Sequence, residues 1–267
     1  MSIINFFAHN IKPRKLEGTG MLNPANTSVI SENVSCIRQW DVNIWFYTKN
    51  GTTIAFDSGY ETFPDLEGEF VKIGVDPKLI KTVLITHADM DHAGGISDKG
   101  TRIFPNACVY IHENEEDMLL GKEERFVFGP LRIKNPIVYS GRYCCLKDGE
   151  TIYIEGIKIE VFYVPGHTPG HASYLVDDKV LITGDSLAIN KNGGYAFFDF
   201  FNMNSKQLRQ SLVEFKNRIK EVDVNLVCTG HSGYTRDFKS IFNHIDEHGI
   251  GTKRAPFDDR APQNAFK

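Results

Sequence analysis

Four short apolar runs in this chain each end in a glycine-marked turn carrying histidine or aspartate, and this recurrence constrains the fold more than any other feature. Val83-Leu84-Ile85 leads into Thr86-His87-Ala88-Asp89-Met90-Asp91-His92-Ala93-Gly94-Gly95, and the run from Ile157 to Val164 leads into Pro165-Gly166-His167-Thr168-Pro169-Gly170-His171. Lys179 to Ile182 leads into Thr183-Gly184-Asp185-Ser186, and Asn225 to Cys228 into Thr229-Gly230-His231-Ser232-Gly233. Short apolar runs bounded by turn residues read as buried strands. In a layered sheet structure such strand ends gather along one edge, so the pattern predicts one composite polar site.

The remaining elements follow from local grammar. Asn43 to Thr48 and Thr52 to Asp57 flank Lys49-Asn50-Gly51, where Asn-Gly supplies the positive φ angles of a tight hairpin. The same pattern returns at Glu155-Gly156, between Thr151 to Ile154 and Ile157 to Val164, and at Asp177-Asp178, between Ser173 to Val176 and Lys179 to Thr183. Cys108 to Ile111 is a further short strand, and Ser2 to Ala8 is expected to be the first. In Ser205 to Lys220, the residues Leu208, Leu212, Phe215 and Ile219 fall on one helical face, with Asn204 or Ser205 able to cap it. Weaker helices are expected after Gly94, over Glu113 to Leu120 and over Phe238 to His248. Hairpin-rich strands in both halves with helices between them suggest two sheets face to face, helices outside. The expected organisation is a single domain over residues 1–250, followed by a loosely attached tail at 251–267 that lacks periodicity.

Of the 267 residues, 41% are hydrophobic and 24% charged, enough apolar surface for one large core. The net charge of -4 offers no broad positive field, so nucleic acid is not expected as a partner. No apolar run approaches the ~20 residues of a bilayer helix, and the N-terminus lacks the basic start and small-residue cleavage pattern of a signal peptide. The five cysteines have no C-x-x-C spacing, which argues against a disulfide framework and fits a cytoplasmic protein. Cys144 and Cys145 are read as ordinary thiols on a strand.

The turn from His87 to His92 holds the densest set of potential metal ligands. A strand ending in such a turn can aim alternate residues at one point, so His87 and Asp89 could hold one cation and Asp91 and His92 a neighbour. A solvated polar loop is the plainer account of that segment alone, but the three other turns weigh against it. Together the segments resemble the metallo-β-lactamase superfamily, whose motifs occur here in order: Asp57 in Phe56-Asp57-Ser58-Gly59, the cluster from His87 to His92, then His167, Asp185 and His231.

The resemblance covers roughly residues 20 to 235 and implies an α+β fold, a four-layer αββα sandwich of two mainly antiparallel or mixed β-sheets. It also implies a centre of two divalent metal ions. His87, Asp89 and His167 would bind one ion and Asp91, His92 and His231 the other, with Asp185 bridging them. Asp57 and His171 would support these ligands. Zinc is the first metal expected. The family's usual H-x-H-x-D-H has histidine where Asp89 stands, and three readings of that departure stay open. Asp89 replaces the imidazole as a zinc ligand, or it moves preference toward Mn²⁺ or Fe²⁺, or it does not ligate.

Other residues are read more plainly. His112 is expected to cap or to sit as a buried polar residue, and His9, His244 and His248 to lie at the surface. Ser186 and Ser232 have no dedicated base and are not read as nucleophiles. Tyr195, Phe197 and Phe198, in the aromatic stretch Gly194 to Phe201, form either an apolar wall for substrate or core beneath the long helix.

A water shared by two cations can be hydroxide at neutral pH, with Asp91 placed to shuttle a proton to the leaving group and Asp185 holding both ions. The expected function is therefore a binuclear hydrolase attacking a small ester, lactone or thioester through a metal-bridging hydroxide. A lactonase is named first, because the family branch with H-x-x-x-D-H-A-G-G and P-G-H-T-P-G-H includes such enzymes. One alternative is an iron redox enzyme, either di-iron (reducing oxygen or nitric oxide) or a mononuclear sulfur dioxygenase, since flavodiiron proteins carry an acidic residue at the position of Asp89. The other is a metal-holding sensor without turnover. The expected partner is a small-molecule substrate.

Overall fold

The computed structural model describes residues 21–128 and 131–247. The chain first lays down β1 (Ser28–Val29), β2 (Val34–Gln39), β3 (Val42–Lys49) and β4 (Thr52–Phe56), then α1 (Leu66–Ile73), β5 (Thr82–Leu84) and β6 (Cys108–His112). After α2 (Glu116–Leu119) comes an arm made of β7 (Glu124–Phe128) and β8 (Leu131–Lys134), and β9 (Tyr143–Leu146) returns to the sheet. The second half holds β10 (Thr151–Ile154), β11 (Ile157–Tyr163), β12 (Ala172–Val176), β13 (Val180–Gly184), β14 (Leu187–Asn190) and β15 (Gly193–Ala196). It ends with α3 (Ser205–Ile219), β16 (Leu226–Thr229) and β17 (Tyr234–Thr235).

Two sheets result. The first is seven-stranded in the order β1-β2-β3-β4-β5-β6-β9, antiparallel up to β4 and parallel from there to β9. The second is six-stranded in the order β10-β11-β12-β13-β16-β17, with only β13 and β16 parallel. The tight hairpins form where the sequence asks for positive φ: Asn50 and Gly51 at 52° and 79°, Glu155 and Gly156 at 48° and 81°, Asp177 and Asp178 at 47° and 57°.

Strand alternation sorts the apolar side chains into layers. On β3, Trp45 and Tyr47 point between the sheets, where they join Ile159, Tyr174 and Ile182 of the second sheet. Ile44 and Phe46 point the other way and pack with Phe70 and Ile73 of α1. On the far side, Leu175, Leu181 and Val227 pack under Leu208, Leu212 and Phe215 of α3. The layers run helix, sheet, sheet, helix, the α+β sandwich expected from the sequence.

This topology puts the polar turns together. β4 and β5 run parallel, so their C-terminal ends share one edge of the first sheet. In the second sheet β13 is parallel to β16, and β11 is antiparallel to β12, which is antiparallel to β13, so all three of β11, β13 and β16 end on the same side.

Some local expectations differ from the structure. The helix expected after Gly94 is one 3₁₀ turn at Gly94–Ile96. A Cβ on Gly95 would fall 2.3 Å from the carbonyl of Ser58, so this backbone lies flat against the β4 turn instead of coiling. The segment from Glu113 to Leu120 is helical, but as a 3₁₀ turn at Glu113–Glu115 followed by the single turn of α2. Phe238–Ser240 is another 3₁₀ turn in place of a longer helix. α1 was not anticipated. The expected first strand, the tail, His9 and His248 lie outside the described residues.

Candidate metal centre

Buried donors from four strand ends converge at the common edge. His87, Asp91 and His92 follow β5, His167 follows β11, Asp185 follows β13, and His231 follows β16. They form two groups, His87 with His167 and Asp185, and Asp91 with His92 and His231. Within each group the donor atoms lie within 4.8 Å of one another. Asp185 reaches both. Its Oδ2 is 3.1 Å from His231 Nε2 and 3.6 Å from His167 Nε2, and its Oδ1 is 3.3 Å from His92 Nε2.

Each of the four imidazoles is held by Nδ1, leaving Nε2 for the centre. His92 Nδ1 pairs with Asp57 Oδ2 at 2.8 Å, and His231 Nδ1 donates to the Asp41 carbonyl at 2.6 Å. His167 Nδ1 meets Asn202 Oδ1 at 3.0 Å, and His87 Nδ1 meets Thr86 Oγ1 at 3.0 Å, whose hydroxyl also donates to Asp57. Fixing one ring nitrogen so that the other points inward is how proteins orient histidine toward a metal. Asp57 takes a left-handed backbone, φ 64°, which is uncommon outside glycine and places its carboxylate between β4 and β5. His171 lies behind the centre, its Nε2 accepting from the Asp185 amide at 3.0 Å.

Two observations fit this donor set to a cation. His87 Nε2 and Asp185 Oδ1 are buried without hydrogen-bond partners, a costly arrangement unless something else satisfies them. A Cβ on Gly230 would fall 2.2 Å from Asp185 Oδ1 and 2.7 Å from His92 Cε1, so glycine there keeps the cradle open. The electrostatics agree. Burial, reinforced by His92, lowers the His87 imidazole to about 4, which keeps its lone pair available. Burial alone would raise the Asp185 carboxyl, but His231 and His92 hold it well below the usual carboxylate range.

Asp89 is in neither group of three but borders the first. Its two oxygens are taken by the guanidinium of Arg125 on the β7 arm, with Nε donating to Oδ1 and Nη2 to Oδ2 at 2.6 Å. Asp89 Oδ2 still lies 3.2 Å from His167 Nε2 and 3.5 Å from His87 Nε2. The sequence motifs did not single out Arg125. They also missed Glu115, whose buried carboxylate accepts from the amides of Ala88 at 2.8 Å and Gly170 at 2.7 Å and so ties the His87 turn to the His167 turn. Asn202, Thr86 and Asp41 were missed as well. A polar residue beside a motif was the available signal for Thr86; the others are brought in by tertiary packing alone.

The aromatic segment divides. Phe197 is buried with its ring centroid 5.0 Å from that of His167 and 5.6 Å from that of His231, so it packs on imidazoles of both groups. Phe198 is buried behind it at 5.2 Å. Tyr195 instead stacks on His244 at 4.5 Å, away from the donors, and His244 is half-buried rather than a free surface residue. His112 caps the turn that follows β6, its Nδ1 accepting from the Asn114 amide, and stacks on Tyr163. Ser232 Oγ accepts from the Ile189 amide and pairs with Thr229 Oγ1, a supporting arrangement for the His231 turn.

Residues 37–231 match the family model described as the metallo-beta-lactamase superfamily. The chain belongs to the metallo-β-lactamase superfamily. It is 30% identical over 195 residues to a probable metallo-hydrolase, YqgX, of Bacillus subtilis (strain 168), covering 72% of this chain and 86% of the relative. It is 29% identical over 225 residues to a hydroxyacylglutathione hydrolase of Shewanella pealeana, covering 80% of this chain and 73% of that enzyme. Among solved structures, a B3 metallo-β-lactamase with an active-site glutamic acid superposes with a TM-score of 0.61 at 17% identity, covering 84% of this chain and 87% of that one. That likeness speaks to the fold. Family and relatives together make this superfamily member a metal-dependent hydrolase.

Proposed function

We propose that this protein hydrolyses a small acyl thioester or ester at a centre of two divalent ions, zinc first among them. His87, His167 and Asp185 would hold one ion, and Asp91, His92, His231 and Asp185 the other. The observation that carries this reading is the pair of three-donor groups sharing Asp185, with every imidazole oriented through Nδ1. Imidazole and carboxylate donors at such sites suit zinc.

Ions bound by these residues would supply Lewis acidity toward a substrate carbonyl and lower the pKa of a bound water. The protein does the rest. Asp91 Oδ2 lies 3.3 Å from His231 Nε2 at the mouth of its group, placed to take a proton and pass it to the leaving sulfur or oxygen. Asp57, Thr86, Asn202 and the Asp41 carbonyl hold the rings still. Phe197 keeps water from the outer faces of His167 and His231.

Thioesters move ahead of lactones, the first expectation from the motifs, because curated relatives are named hydroxyacylglutathione hydrolases. The reading includes a small-molecule substrate and a cytoplasmic site, the latter supported by free thiols on all five cysteines. The test is a hydrolysis panel of S-lactoylglutathione, an acyl-homoserine lactone and p-nitrophenyl acetate, run on zinc-loaded and chelator-stripped protein. Turnover of an acyl substrate that chelation abolishes and zinc restores is expected. A fully loaded protein that leaves every acyl substrate at the buffer rate overturns the proposal and returns attention to the redox and sensor alternatives.

A further inference from the structure

We infer that Arg125 makes the two halves of this centre unequal: by gripping Asp89 it withdraws that carboxylate, so the Asp91–His92–His231 side fills first and the His87–His167 side binds its ion weakly. The inference rests on the metal-centre reading above and goes beyond it by ranking the sites and assigning the rank to one residue outside the family motifs.

The geometry is specific. Arg125 is buried, at 4% exposure, and presents two parallel donors to both oxygens of Asp89, the fork arrangement that only guanidinium offers. Its Nη2 is fixed from a third direction by the Phe201 carbonyl at 2.8 Å. The same Nη2 lies 3.3 Å from His167 Nε2, the atom that would face an ion. The fixed positive charge also attracts Asp91 of the other group, but its hydrogen-bonding contacts with Asp89 and His167 lie on the first side. On that side, Asp89 is neutralised by its partner, leaving two imidazoles and a share of Asp185. On the other side, Asp91 adds its own carboxylate to two imidazoles, and Asp185 approaches those imidazoles more closely, at 3.1 and 3.3 Å, than it does His167 at 3.6 Å. Charge and donor count both favour the second group.

The arm carrying Arg125 is also the element that sequence motifs could not place. β7 and β8 form a separate two-stranded ribbon, joined to neither large sheet. Asn135, just past β8, pins it down by donating to the carbonyls of Ala88 and Met118 at 2.7 and 2.8 Å. Ala88 adjoins His87, so the arm is fastened to the turn it modifies. Arg125 is a positioning residue: it acts on the centre through Asp89.

The test is metal binding by the full chain, stripped by chelator and titrated with Zn²⁺ by calorimetry and with Co²⁺ by visible spectroscopy, with metal content measured after dialysis. The wild type is expected to bind one ion tightly and a second at least about tenfold more weakly. Arg125→Gln is expected to tighten the second ion by about tenfold or more, because the freed carboxylate adds a charged oxygen donor on that side. Arg125→Gln combined with Asp89→Asn is expected to lose that gain, because the gain comes from the freed carboxylate. Two equal sites in the wild type overturn the inference while leaving the metal centre intact, as does an Arg125→Gln protein with unchanged spacing between its two affinities. A wild type that binds no ion overturns the metal centre itself. If Arg125→Gln does not fold, the wild-type Co²⁺ titration still decides, since equal sites develop one spectrum in proportion up to two equivalents and unequal sites develop two in succession.

Discussion

Asp57 and His92 are joined at 2.8 Å between carboxylate Oδ2 and imidazole Nδ1, and through the Thr86 hydroxyl the same carboxylate also steadies His87. One aspartate thus orients a ring in each of the two donor groups. Asp57→Asn keeps a residue that tolerates the left-handed backbone but cannot accept from both partners at once. It is expected to weaken metal binding by about 10–100-fold with little loss of fold. Competition against a chromophoric chelator measures this directly, and an unchanged affinity would show that the rings hold their places without Asp57.

Glu115 gives the protein a pH dependence of known sign. Burial raises its carboxyl from 4.5 to about 7, despite the two backbone amides that donate to it. Below 4.5 both folded and unfolded chains carry the proton. Between 4.5 and about 7 the unfolded chain ionises first, so this group lowers stability as pH rises, and above about 7 its effect is constant. The whole excursion is on the order of 3 kcal/mol at 1.36 kcal/mol per pKa unit. Urea unfolding of metal-free wild type and Glu115→Gln at pH 5 and pH 8 checks it. The wild type should lose more stability over that interval than the variant; parallel losses would mean that Glu115 is ionised throughout in the folded state.

Much of the fold was legible because its determinants are local. Asn50-Gly51 and Glu155-Gly156 meet a φ requirement of the turn itself, and α3 carries its apolar stripe and its cap, Asn204, within a few residues. The donors were legible because each sits at the end of an apolar strand. Arg125 was not, because it meets Asp89 across 36 residues of sequence through an arm whose course depends on Asn135. Glu115 is likewise 27 residues from one amide it holds and 55 from the other. α1 was hidden for a different reason: Gly68 interrupts its pattern and Asp65 precedes it without a capping hydrogen bond. Gly94 and Gly95 misled in the opposite sense, since their role is close approach to the backbone of residues 58–61.

Phe197 belongs to the core and touches both donor groups at once. It packs against Phe198 and Phe201 on one side and against His167 and His231 on the other. Phe197→Ala is expected to cost about 3–5 kcal/mol of stability, as for other buried aromatics. It should also loosen both imidazoles, so metal affinity falls together with the melting temperature. Tyr195→Ala, which removes a ring stacked on His244 away from the donors, should leave metal affinity unchanged. Equal metal affinities in the two variants would remove Phe197 from the site.

Gly230 separates space from backbone conformation. Its φ is not in the left-handed region, so alanine meets no backbone strain there; the obstacle is the Cβ itself, 2.2 Å from Asp185 Oδ1 and 2.7 Å from His92 Cε1. Both donors must move, and each serves the same ion in the proposed arrangement. Displacements near 1 Å at a reacting centre cost about 100-fold in rate, while overpacking of this kind costs about 1–3 kcal/mol of stability. Gly230→Ala is therefore expected to remain folded, to bind less metal and to lose about 100-fold or more in kcat/KM on whichever acyl substrate the wild type turns over. Gly184→Ala adds strain at φ 52° to a Cβ 2.6 Å from Thr86 Oγ1, and should lose stability as well as activity. A Gly230→Ala protein with wild-type metal content and turnover would place the working centre somewhere other than between Asp185 and His92.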